Sequence, residues 1–139
     1  NTGSSLNFER DDRLRLETSV MESGDDLSAL LQQLERMAVN RAVTLSLRET
    51  AALDWLYALN AGLDGSIFSL YGKDASDGLT RLLRMAQYAA PVFGEGALRS
   101  LVAQTVHAVL ALREPGEGPA GLFELAPLGD GYELKKLFS

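Results

Sequence analysis

The strongest constraint on this chain's fold is a pair of leucine-rich segments separated by Pro91. Leu79, Leu82, Leu83, Ala86 and Ala90 recur at helical spacing before it. After it Leu98, Leu101, Val102, Val106, Val109 and Leu110 do the same, with Thr105 among them. Pro91 has no N–H and its ring crowds the preceding turn, so the first segment must stop there as a helix. Gly94 and Gly96 permit a tight reversal. Residues 77–112 therefore predict two amphipathic helices lying antiparallel, stripe against stripe.

The 139 residues suit one domain with a real core. A formal net charge of -6 argues against wholesale binding to nucleic acid, which needs a basic surface to displace counterions. With no cysteine, disulfides and thiolate metal sites are excluded. No apolar run approaches the roughly 20 residues of a membrane span. No secretory signal is legible, and the expected location is the cytoplasm.

Residues 1–5 are small and polar and read as a flexible end. Leu14, Leu16, Thr18 and Val20 then alternate with Arg13, Arg15 and Glu17, a period of two that predicts an extended segment within residues 6–20. Leu6 and Phe8 lie across Asp11-Asp12, so a short hairpin and an arm lying on a partner are both open. Asp25 and Asp26 place acids at the start of a helix striped by Leu27, Leu30, Leu31, Leu34, Met37 and Ala38. Ser46 with Glu49 reads as a capping box for a second helix ending at Gly62. That helix is apolar nearly all round, with Ala52, Leu53, Trp55, Leu56, Tyr57 and Leu59. Such a helix is either central or half committed to a partner. One helical turn is expected at 66–71, a proline-glycine linker at 114–120, and two apolar docking clusters beyond it.

The resulting expectation is an all-α fold, an irregular bundle of about four main helices. Residues 1–22 form its extended arm or hairpin, 23–113 the bundle, 114–120 the linker and 121–139 a C-terminal docking tail.

No constellation recruits catalysis. His107 is the only histidine, and no ligand-spaced partners surround it, so it reads as a surface residue. Asp74-Ala75-Ser76-Asp77-Gly78 lacks the later ligands of a calcium loop. Gly94-Glu95-Gly96 has neither the preceding strand nor the lysine of a phosphate loop. Arg81, Arg84 and Tyr88 share a helix face. They form either an anion-binding spot or a solvated face with local ion pairs.

The order of parts resembles that of the short helical proteins in domain-of-unknown-function family 1641, often encoded beside bacterial molybdenum-dependent formate dehydrogenases. The residues concerned are 27–34, 78–90, 98–112, the proline-glycine segment and Gly121-Leu122-Phe123-Glu124-Leu125. The family then continues through an arginine-aspartate-proline step, where Ala126-Pro127-Leu128-Gly129-Asp130 stands here. The resemblance implies an accessory subunit docked on a redox enzyme, with peripheral membrane association through that partner.

The functional expectation is a non-catalytic interaction or accessory subunit without cofactor or metal, binding a protein partner or its own copies. Trp55, Tyr57, Leu59, Phe68, Phe123, Tyr132 and Phe138 are its candidate interface anchors, because aromatics dominate interface energy. The alternative is a regulatory domain holding an anionic small molecule through Arg81, Arg84 and Tyr88.

Overall fold

A computed structural model describes residues 36, 41–44, 46–48, 51–63 and 65–138. The extended segment expected within 6–20 and, apart from Arg36, the leucine-striped helix expected at 27–38 lie outside the described residues. In order, the elements are β1 (Val43–Thr44), α1 (Ala52–Asn60), β2 (Ile67–Phe68), α2 (Ala75–Ala89), α3 (Glu95–Thr105), β3 (Ala108–Leu112), β4 (Pro119–Leu128) and β5 (Gly131–Phe138). β1 and β2 pair in parallel, and β3-β4-β5 form an antiparallel sheet in that spatial order. The all-α expectation is therefore wrong. The fold is mixed, with three helices and two sheets among the described residues.

The helical hairpin is present but shortened. Asp74 caps α2, its carboxylate accepting from the Asp77 N–H at 2.8 Å. Ala75, Leu79, Leu82, Leu83 and Ala86 are the buried face. After Pro91 the Gln87 side chain donates to the Phe93 carbonyl at 2.7 Å, closing the reversal. α3 buries Leu98, Val102 and Thr105, then stops. The Thr105 hydroxyl turns back onto the Leu101 carbonyl at 2.8 Å, and Val106 is already extended at φ -99° and ψ 121°. Residues 106–112 satisfy helical spacing and period-two alternation alike, and periodicity cannot separate the two in so apolar a run. β4 settles it by supplying a ladder to Ala108–Leu112.

Four further segments take a different form from the one their sequence suggested. The docking tail is the β4–β5 hairpin, turned at Gly129 and Asp130, with Leu125 opposite Leu134 and Leu128 opposite Gly131. The proline-glycine segment is the turn from β3 to β4, and Pro119 starts its strand opposite Leu112, where a missing N–H is tolerated. The turn expected at 66–71 is β2. Ser46 is no helix cap, since α1 starts at Ala52. Ser46 instead adopts φ +57° and donates its N–H to the Ser69 hydroxyl oxygen at 2.9 Å.

One core joins these parts. Trp55, Leu56, Leu82 and Val102 are its largest fully buried side chains, from all three helices. α3 is the hub: it packs on α1 and α2, and also covers the inner face of the sheet through β4 and β5. Leu125 is buried there, with Val109, Tyr132 and Leu134 partly buried beside it. A fully buried side chain such as Leu56, Leu82 or Val102 contributes on the order of 1.5–3 kcal/mol relative to exposure.

Candidate functional site

The antiparallel sheet has one face on α3 and the other in solvent. Pairing places alternate residues of each strand on the same face. Val109, Phe123, Leu125 and Leu134 lie on the inner face. The outer face then carries Leu110, Leu122 and Phe138 as one row across three strands, because Leu110 pairs with Leu122 and Leu122 with Phe138. Leu110 and Phe138 are 54% and 57% exposed. Leu112 extends the row along β3. Leu137 is the extra residue of a bulge in β5 opposite the step from Leu122 to Phe123, and it too is exposed.

The other half of this face is charged. Glu124 pairs with Lys135, and Lys135 Nζ sits 3.4 Å from a Glu133 carboxylate oxygen. An apolar half bordered by charge is the anatomy of a protein contact surface, a dry centre with a polar rim. Among the described residues β3 is also an edge strand, composed only of Ala, Val and Leu, with none of the charges or prolines that usually blunt such an edge.

The inner face is held by a polar contact as well. The Arg99 guanidinium lies 4.9 Å from the centre of the Tyr132 ring, a cation–π distance. Burial pushes the Tyr132 phenol up from its ordinary value, and the charge of Arg99 opposes that rise.

The candidate anchors are dispersed. Trp55 is 1% exposed and stands edge-on to half-buried Phe68, with ring centres 6.4 Å apart. Leu59 is half-buried against the core. Phe123 and Tyr132 occupy the inner side of the sheet, and Phe138 the outer side. Tyr57 is exposed and borders an open cleft of about 240 Å³ with Phe93, Ala97, Leu98, Leu101 and Gln104. Leu110, Leu112 and Leu122 were not among the anchors. Their signal is the alternation in 108–112 and 121–128, which becomes legible only once both are strands.

Arg81, Arg84 and Tyr88 lie on an exposed face of α2. Arg81 Nε is 2.9 Å from Asp77 Oδ2, which also accepts from the Lys73 N–H at 2.9 Å. The Lys73 hydrogen bond, then Arg81, hold the Asp77 carboxyl below its ordinary 3.8. A depressed carboxylate contributes stability that is complete above its unfolded value and lost as pH falls through the folded one. Acid titration of thermal stability should therefore be flat with respect to Asp77 above about pH 5 and fall below its ordinary value. The Asp77→Asn variant should lack that part of the acid loss, and an identical acid profile in both would refute the assignment.

His107 is exposed between α3 and β3, and its carbonyl accepts from the Leu125 N–H at 2.9 Å. No group of three or more metal-ligating side chains occurs among the described residues, and no helix there is long and apolar enough to cross a membrane. No family model matches the chain, and no curated protein matches it either.

Proposed function

We propose that this chain is a non-catalytic protein-interaction module whose contact surface is the apolar half of the outer sheet face. The observation that carries the reading is the Leu110–Leu122–Phe138 row, apolar across three strands and exposed at both ends. Side chains of this size add little to the fold where they stand, and a contiguous apolar patch on a charged protein marks a binding site. The partner it suits is a protein with an apolar patch of its own. An accessory role on a larger enzyme, including the redox enzyme implied by the family resemblance, belongs to this reading.

Lys135, opposite Glu124 on the outer face, stands beside the row and serves as the reporter. Amine cross-linking of the natively expressed protein, followed by mass spectrometry, should link this lysine to one protein in stoichiometric amount. The Leu110→Asp/Phe138→Asp variant should lose those links while keeping the far-ultraviolet circular dichroism of the parent. A charge at the centre of a dry patch typically costs more than about 2 kcal/mol of binding, a loss of thirtyfold or greater. Links that survive the double substitution would overturn the assignment of the surface.

A further inference from the structure

The outer face of the β3–β5 sheet is complementary to itself. Across β4 and β5 its rows are Leu122 beside Phe138 and, next along the strands, Glu124 beside Lys135. A half-turn about an axis parallel to the strands, midway between β4 and β5, exchanges the two members of every row. Face to face with a second copy, Phe138 then lies over Leu122, flanked by Leu110, and Leu122 lies over Phe138. Glu124 meets Lys135 and Lys135 meets Glu124, so apolar groups cover apolar groups and each charge finds its opposite. In the following row the small Ala126 falls over Glu133. An axis along β4 itself would set Glu124 on Glu124, and the charges select against it.

Within one chain the charges on this face are not fully matched. Lys135 Nζ turns along its own strand to Glu133 at 3.4 Å, and Glu124 makes no ion pair among the described residues. A second copy supplies Glu124 with the cation that its own sheet directs elsewhere. The inner face is already covered by α3, so contact through the outer faces stacks helix, sheet, sheet and helix in layers. Sheets packed this way lie about 10 Å apart and within about 30° of aligned, which keeps rows near the axis opposed. β4 is ten residues long, so the face is about 30 Å by 15 Å. That is small beside the roughly 800 Å² per partner of specific complexes, and the expected association is micromolar.

We propose that the occupant of the outer sheet face is a second copy of this chain, packed about a two-fold axis between β4 and β5, with Glu124 of each copy on Lys135 of the other. This rests on the outer face being a contact surface and adds what covers it.

Sedimentation equilibrium of the full chain across the micromolar range should show the 15.0 kDa monomer passing to a dimer. Glu124→Lys and Lys135→Glu each set like charges together at two places, and each should weaken the dimer about tenfold or more. Mixed one to one, the two variants should recover most of the lost affinity, because the lysines of one then face the glutamates of the other. Effects confined to a single chain cannot produce that rescue. Both positions are exposed, so both variants should keep the circular dichroism of the parent. A mixture no tighter than its components would overturn the proposal. So would a dimer that survives Leu110→Asp/Phe138→Asp, since it would lie on another surface. A chain that stays monomeric while Lys135 still links to a different protein would overturn the second copy and leave the contact surface standing.

Discussion

Trp55→Ala is expected to lower stability by about 3–5 kcal/mol, enough to consume much of the stability of an ordinary domain. The indole is 1% exposed at the junction of α1 with the core and meets Phe68 edge to face. Truncation removes the transfer energy of the largest side chain in the protein and leaves a cavity in the core that the surroundings close only in part. Trp55→Phe should cost clearly less. Its ring keeps most of the apolar contact, and the change deletes Nε1, a buried donor with no partner among the described residues. An unsatisfied buried donor costs about 1–3 kcal/mol, so its removal offsets part of the lost packing. Urea unfolding followed by circular dichroism gives both numbers; fluorescence cannot, because Trp55 is the only tryptophan. Equal losses in the two variants would refute this account of the Trp55 site.

Gly72→Ala is expected to cost about 1–3 kcal/mol, the range for overpacking a site that cannot relax. A Cβ at Gly72 would lie 2.9 Å from both the Cα and the N of Gly78, and backbone in the first turns of a capped helix has no room to yield. The partner in this contact should respond in the opposite direction. A Cβ at Gly78 would meet only Leu70 Cδ1, at an ordinary 3.7 Å. Alanine is favoured over glycine in a helix by up to about 1 kcal/mol, so Gly78→Ala should stabilise α2. Two glycine-to-alanine changes at one contact, with opposite shifts in melting temperature, isolate the steric cause. The same sign for both would refute it.

Much of the α-helical part was legible in the residues. Pro91 bounds α2 by a missing donor, a local property, and Leu79, Leu82, Leu83 and Ala86 face the core as their spacing requires, while the Asp74 cap puts the start of α2 before the expected Asp77. The candidate site was far less legible. Phe138 belongs to the exposed row, yet Leu110 reads equally well as one more residue of a helical stripe. Its position on a solvent-facing sheet depends on Leu122 and Phe138 lying beside it. Trp55 illustrates the converse: a large aromatic on an all-round apolar helix suits a core and an interface equally, and only packing distinguishes them.

The division follows the range of the forces involved. Helix caps, proline breaks and the i, i+4 stripe act within a few residues, so the sequence by itself determined α2, the reversal after it and the start of α3. It also determined the acidic balance and the lack of any thiol chemistry. A strand has no internal hydrogen bonds, and its N–H and C=O groups are satisfied only by a neighbour distant along the chain. Whether 106–112 continued α3 or left it, whether 121–138 was a tail or a hairpin, and which leucines face solvent were therefore decided by tertiary structure. There β4 pairs with β3 on one side and β5 on the other, and the inner face of the sheet closes over α3.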